Sequence, residues 1–314
     1  MIRVDYAGPG GACEGLRTLG LEPVGIEWDA AACATRAAAG HLTIRADLAT
    51  YRPYHRPGSV AGYWASPPCQ TFSTAGKGDG RDQLDDLAAV IHAERWADAD
   101  LFDDKTRHVI DAARTAVELA PEWVAMEQVP AVLPLWRALA HVLERHGYST
   151  WCGVLCAADY GVPQTRARSA LTASRVHRAM APAPTHADRP GMFGERPWVS
   201  MADALGWSGD LDRRQVSAGA GGTKVPVALV GASRPAPTVT GQAVGQWVVR
   251  DGAGGIVHRL TARDALTLQG FDPAYPVRGT KAEQGQQIGN AVPPPLAAHI
   301  IAALTGAHYE RNVT

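Results

Sequence analysis

Ile2-Arg3-Val4-Asp5-Tyr6-Ala7-Gly8-Pro9-Gly10-Gly11 begins as a first strand and runs into a glycine-rich turn. Helix follows, with Ala12, Leu16 and Leu19 on one face and Gly20 as its stop. Pro23 to Trp28 reads as a second strand ending in Glu27-Trp28-Asp29, and Ala30 to Ala39 as an alanine-rich helix. Strand, glycine turn, helix, strand and acid in that order form the first half of a nucleotide-binding α/β unit. Gly8 and Gly10 let the backbone pass close to a ligand. Glu27, at the tip of the second strand, is placed to accept hydrogen bonds from a ribose diol. Cys13 breaks the G-x-G-x-x-G pattern, which leaves Gly11 to take over part of the packing role. A plain tight turn would look similar, but Glu27 at this distance favours a nucleoside-containing cofactor, not necessarily a dinucleotide.

The second landmark is Ala65-Ser66-Pro67-Pro68-Cys69-Gln70-Thr71-Phe72-Ser73. The run Val60 to Ala65 is strand-like, and two prolines then fix φ near −65° and hold Ser66 and Pro67 out of helix. Cys69 therefore sits on a stiff arm at the carboxyl end of a parallel strand, where open α/β sheets keep their chemistry. A buried structural thiol fits this stretch equally well. Farther on, Leu84 to Ala97 and Lys105 to Ala120 carry helical periodicity, with an acidic surface connection from Trp96 to Asp104 between them. Trp123 to Met126 is another buried strand, ending in Glu127-Gln128-Val129-Pro130, and Leu133 to His146 is a helix. Glu127 by itself could be no more than a charge favoured by a helix dipole.

Tyr148 to Tyr160 reads as extended, and Gln164-Thr165-Arg166-Ala167-Arg168 leads into a strand over Ser169 to Ala173. Two arginines two residues apart on an extended segment point the same way and suit a phosphate or an electron-rich base edge; alone they suit a solvated edge too. From Val176 to Arg234 the chain is rich in Pro, Gly and small polar residues, with Arg213, Arg214, Lys224 and Arg234 as scattered cations. This predicts a small irregular lobe. Regular texture resumes at Pro237; Thr261 caps a helix to Leu268, and Gln287 to Pro295 opens a last helix, Leu296 to Leu304.

The totals leave room for an α/β core, and the near-neutral charge gives no hint of a polyanionic partner and by itself argues weakly against nucleic acid. The chain has 314 residues, a formal net charge of −1 and 46% hydrophobic residues, enough for one large core and a smaller lobe. Five cysteines without a CxxC pair or a His cluster predict neither zinc nor a disulfide scaffold, and fit a reducing cytosol. No signal-peptide or membrane-spanning pattern is expected.

In order, these pieces resemble the DNA (cytosine-5)-methyltransferase family over nearly the whole chain. Tyr6-Ala7-Gly8-Pro9-Gly10-Gly11 is similar to its cofactor motif, with Tyr6 where Phe is usual, Glu27-Trp28 to a second motif and Asp47-Leu48 to a third. Pro67-Pro68-Cys69-Gln70 resembles the nucleophile motif, Glu127-Gln128-Val129 resembles Glu-Asn-Val, and Gln164-x-Arg166-x-Arg168 matches Gln-x-Arg-x-Arg. Arg259-Leu260-Thr261 through Gln269-Gly270-Phe271, and Gly289-Asn290-Ala291-Val292, resemble the last two motifs.

The resemblance implies an α/β fold: a Rossmann-like, S-adenosylmethionine-dependent methyltransferase sheet with a small irregular target-recognition lobe. The expected domains are residues 1–180 (catalytic and cofactor-binding), 181–236 (the lobe) and 237–314 (a return to the catalytic domain). It implies catalysis by Cys69, Glu127, Arg166 and Arg168, and a cofactor pocket of Tyr6, Gly8, Gly10, Glu27, Trp28, Asp47, Leu48, Pro68 and Asn290. DNA contacts would fall to Gln70, Ser73, Arg81, Gln164, Arg213, Arg214, Lys224 and Arg234, with Phe72 to Arg81 as a lid. It further implies double-stranded DNA as partner, no metal and no membrane, a monomer, and the cytoplasm of a prokaryotic or phage-infected cell.

Departures from the pattern are Gln128 for the usual Asn, a long spacing from Cys69 to Glu127 that implies an insertion near residues 92–104, and a short lobe. The lobe predicts a recognition site of about two to four base pairs. Alternatives on the same scaffold are an RNA (tRNA) cytosine-5 methyltransferase and a catalytically silent DNA-binding relative. A nicotinamide-dependent dehydrogenase shares only the Rossmann core and leaves the Pro-Pro-Cys-Gln stretch unexplained.

Overall fold

The structure, a computed structural model, describes the chain except residues 54, 69, 73–78, 193, 214–228, 308 and 310–314 and the side chain of Asp79. Seven strands build the main sheet: β1 (Ile2–Asp5), β2 (Pro23–Glu27), β3 (Leu42–Arg45), β4 (Gly62–Ala65), β5 (Trp123–Gln128), β6 (Ser149–Cys156) and β7 (Ala167–Ser174). Their order is β3-β2-β1-β4-β5-β7-β6; β1 to β5 run parallel, and β7 is antiparallel to both neighbours. The order reverses between β1 and β4, so the carboxyl ends of these two strands flank the crevice where such sheets bind ligands.

Among the described residues, the α-helices of five residues or more are, in chain order, α1 (Gly11–Arg17), α2 (Ala30–Ala38), α3 (Leu84–His92), α4 (His108–Leu119), α5 (Leu133–Arg145), α6 (Met201–Leu205), α7 (Ala262–Leu268), α8 (Lys281–Asn290) and α9 (Pro294–Thr305). Asp29 caps α2 by accepting a bond from Ala32 N at 2.7 Å. One buried cluster, with Trp136, Leu139 and Ile110, packs α3 to α5 on one face of the sheet. On the other face, Leu16, Trp64, Leu296 and Ile300 join α1 and α9 to it. The run from Lys281 to Thr305 is long and apolar enough by composition to cross a membrane, but 72% of that window is buried and Ala291–Pro293 break it into two helices.

Several segments depart from expectation. The helix read to Ala97 stops at His92, and Trp96–Leu101 is a 3₁₀ helix that buries Ala99; Trp96 and Phe102 also pack on the core, so the acidic stretch is more than a surface connection. The extended run stops at Cys156, and Ala157–Tyr160 turns as a 3₁₀ helix. The largest difference is α8, which covers residues expected to form the approach to the last helix. Thr280 and Glu283 start it with a reciprocal capping box. Its glycines are contact points: a Cβ on Gly285 would lie 2.5 Å from Gly241 O, and one on Gly289 2.3 Å from Gly241 N.

The lobe carries a small antiparallel sheet of β8 (Asp210–Asp212), β9 (Val230–Gly231), β10 (Val248–Arg250) and β11 (Ile256–Arg259), in the order β9-β8-β10-β11. It therefore takes strands from both sides of residue 236. Leu211, Val249, Trp247, Leu266 and Ile288 share one apolar cluster, which fastens the lobe to α7 and α8.

Candidate active site

The glycine turn is built by close approach. Gly10 has φ +114°, and a Cβ there would meet His41 Nε2 at 2.6 Å and the Tyr275 hydroxyl at 2.7 Å. A Cβ on Gly11 would lie 2.0 Å from Val292 O, and one on Gly15 2.7 Å from Ala297 Cβ, so these two glycines bring α1 against α9. Cys13 is buried and accepts a 3.4 Å bond from Arg36. Behind the turn, Tyr275 donates to Pro9 O at 2.5 Å, and His41 Nε2 lies 3.1 Å from the Tyr275 oxygen and 2.9 Å from Glu14. Both neighbours of Nε2 act as acceptors, so Nε2 carries the proton. The other ring nitrogen is buried without a hydrogen-bond partner. Burial accordingly lowers the His41 pKa against the pull of Glu14.

Glu27 closes the turn from β2. Its Oε2 accepts from Gly8 N at 2.7 Å, and its Oε1 from Trp28 N at 2.9 Å and Asp29 N at 2.8 Å. A carboxylate offers about four lone-pair sites, so roughly one is left for a ligand hydroxyl. Tyr6, at φ +54°, donates from its hydroxyl to His108 O at 3.3 Å, a bond the usual Phe could not make. Burial, with Asp5 and Asp111 nearby, pushes the Tyr6 phenol well above its usual pKa, so it stays neutral.

Tyr6, Gly8 and Glu27, but not the expected Gly10, line a cavity of about 330 Å³ together with Pro9, Gly11, Trp28, Ser66, Pro67, Pro68, Gln70, Glu127, Gln128, Arg166, Arg168 and Asn290. Trp28 is 68% exposed, an uncovered aromatic face at the cavity rim. Leu48 instead lines a neighbouring cavity of about 460 Å³, of which Tyr6 is also a wall. Asp47 is exposed and holds its own turn by accepting from Ala49 N at 2.9 Å.

On the far wall, β5 pairs with β7 so that Glu127 faces Ala170 and Gln128 faces Ser169. Arg168 Nε meets Glu127 Oε1 at 3.0 Å, with both side chains largely buried. Arg166 lines the same cavity. It is 2% exposed and donates to Val239 O at 3.2 Å and Gly289 O at 2.9 Å, tying the return segment to the end of α8. Gln164, expected on the DNA, is fully buried. Its amide donates to Leu268 O at 3.0 Å and to Gln269, and accepts from Val239 N at 2.8 Å, so it has no surface to offer a duplex. The polar type of both residues reads as exposed in sequence; their buried acceptors come from segments 73 or more positions away.

Residues 6–190 and 216–306 match the model of the family described as C-5 cytosine-specific DNA methylase. The chain belongs to that family. It is thus a DNA cytosine-5 methyltransferase that uses S-adenosylmethionine as methyl donor. The methylase is 29% identical over 317 residues to the type II methyltransferase M.NgoMIV of Neisseria gonorrhoeae, covering 93% of this chain and 92% of that one. It is also 29% identical over 270 residues to M1.HphI of Haemophilus parahaemolyticus, covering 76% of this chain and 66% of the relative. In fold it is similar to the Dnmt2 methyltransferase of S. pombe, with a TM-score of 0.68 at 15% identity over 97% of this chain and 98% of that one. A putative DNA modification methyltransferase encoded within an E. coli prophage gives 0.63 at 17% identity, over 98% of each chain.

The cavity of the methylase fits its cofactor. The turn leaves Gly8 and Gly11 on the wall without side chains, Glu27 keeps a free lone pair, and Trp28 offers an open indole. Among the described residues no cluster of His, Cys, Asp or Glu could hold a metal ion. Of the expected DNA contacts, Gln70 is exposed at the cavity, Arg81 and Arg213 are half-buried, and Arg234 is exposed with Asp188 at 3.6 Å. Cys69, Ser73, Arg214 and Lys224, and most of the expected lid, lie outside the described residues.

Proposed function

We propose that Cys69 is the nucleophile, acting on a cytosine held at the mouth of this cavity. The Cys69 thiolate forms a bond to C6, and the C5–C6 π electrons become available at C5. Glu127 holds the base edge and supplies a proton or hydrogen bond at N3, which makes C6 electrophilic. Arg168 fixes the Glu127 carboxylate and reaches the base carbonyl, while Arg166 braces the wall from behind. Bound S-adenosylmethionine supplies an electrophilic methyl group to C5. Loss of the C5 proton then returns an electron pair to the ring, the S–C6 bond breaks and the thiolate is restored.

The observation that carries this reading is the 3.0 Å Glu127–Arg168 pair on the same cavity wall as Pro67 and Pro68, the two residues before Cys69. The target is duplex DNA. Its cytosine must leave the stack, at a cost of a few kcal/mol. The relatives' names support a type II modification role, in which the host's own sites are marked.

An oligonucleotide carrying 5-fluorocytosine tests the nucleophile, because fluorine at C5 cannot leave as a proton and the adduct persists. The wild-type protein with cofactor should form a stable cross-link, and Cys69→Ser none, while cofactor binding is kept. A cross-link in Cys69→Ser would refute the assignment, and labelled methyl on RNA but not on DNA would overturn the choice of duplex DNA as target.

A further inference from the structure

The chain leaves β4 at Ala65 and enters two prolines, neither of which has an N–H to donate. The last backbone bond before them is weak, Ser66 N to Asp5 O at 3.4 Å. The handle the arm presents is the carbonyl of Pro67, and the group that takes it comes from β5. Gln128 Nε2 donates to Pro67 O at 2.6 Å, and Gln128 Oε1 accepts from Val129 N at 2.5 Å. A carbonyl can only accept and a backbone N–H can only donate, so one orientation of the amide satisfies both bonds. Gln128 is 3% exposed. Its own backbone is fixed as well: the Ser169 hydroxyl donates to Gln128 O at 3.1 Å and to Val129 O at 2.9 Å.

We propose that Gln128 is a positioning residue that sets the spacing between Glu127 and the arm carrying Cys69. The inference rests on the roles given to those two residues above. Both act on one pyrimidine ring, one at C6 and the other at N3, so an error in their separation falls directly on the reacting geometry. A misplacement of about 1 Å can cost on the order of 100-fold in rate. The amide one methylene longer than the usual Asn is the element that spans the gap here.

Gln128→Glu keeps the volume and the acceptor for Val129 N but sets an oxygen against the Pro67 carbonyl. Gln128→Leu removes both bonds. With 5-fluorocytosine DNA, both variants should form the covalent adduct about 10- to 100-fold more slowly. Their cofactor Kd and DNA KM should stay within about threefold of wild type, and the loss should fall on kcat. Gln128→Asn, which retains an amide that can reach one of the two partners, should lie between. Adduct formation at the wild-type rate in Gln128→Glu would overturn the inference, as would a loss of cofactor affinity equal to the loss of rate, since that is the mark of a packing role alone. Cys69→Ser run alongside separates the two claims. If it abolishes the adduct while the Gln128 variants react normally, only the role of Gln128 fails; if it reacts, the nucleophile assignment fails.

Discussion

Glu27 and Glu127 are both buried carboxylates at the carboxyl ends of parallel strands, on opposite walls of one cavity, yet they are held in different ways. Three backbone N–H groups converge on Glu27, one from the glycine turn after β1 and two from the residues that follow β2. Glu127 is met by the side chain of Arg168, from an antiparallel strand 41 residues on. A carboxylate bound by backbone amides shapes its own loop, which suits a fixed acceptor for a cofactor hydroxyl. One bound by a single guanidinium retains an oxygen for exchange with a substrate. The lesson is that strand-end acids of the same type divide into scaffold and reagent according to what satisfies them.

The comparison breaks most visibly at Glu127. Glu127→Gln should lower turnover by about 100- to 10,000-fold, the usual span for removing an acid–base group, with cofactor affinity unchanged by calorimetry. Glu27→Gln should do the reverse. The neutral amide has one accepting atom where three N–H groups point, and each bond to a charged group is worth about 1.5–3 kcal/mol. Cofactor Kd should rise about 10- to 100-fold, which corresponds to about 1.4–2.8 kcal/mol, and the melting temperature should fall. Turnover at saturating cofactor should stay near wild type. If Glu27→Gln lost only turnover, or Glu127→Gln only affinity, the division drawn above would be wrong.

The positions of Glu27 and Glu127 at strand ends were legible in the sequence, because local rules end each strand: a helix-capping Asp29 two residues after Glu27, and Pro130 three residues after Glu127. Local rules also made β1 to α2 readable, down to the capping residue of the helix at Thr261. What they could not reach is contact between distant segments. Nothing local to Gly285 and Gly289 shows that in the fold they admit Gly241 against α8. The lobe strands are two to four residues long and pair across residue 236, too short for any periodicity to register. Arg166 and Gln164 carry polar groups that sequence places in water, and only their buried carbonyl partners show otherwise. At Gln128 the sequence shows the exchange of an amide but not the Pro67 carbonyl it holds.

The smallest predicted effect sharpens the Glu27 side, because the brace behind its turn titrates. Burial lowers His41 below its ordinary pKa near 6.5, since a second proton would sit on a buried nitrogen with no acceptor. The unfolded chain therefore takes up this proton at a higher pH than the folded one. Stability from this site is full above about pH 6.5 and is lost as pH falls through the folded value. His108 and His55 are shifted in the same direction by burial, so the wild-type slope is a sum and the variant must be read against it. His41→Gln can still donate to Glu14 and to the Tyr275 oxygen but cannot be protonated. Between pH 7 and pH 5.5 it should lose less stability than wild type, by at most about 1 kcal/mol, since one pKa unit is worth about 1.4 kcal/mol. Urea melts at the two pH values measure the difference directly. Parallel slopes for the two proteins would mean that His41 is not the titrating part of the brace, and that the glycine turn is held by the Tyr275–Pro9 bond without it.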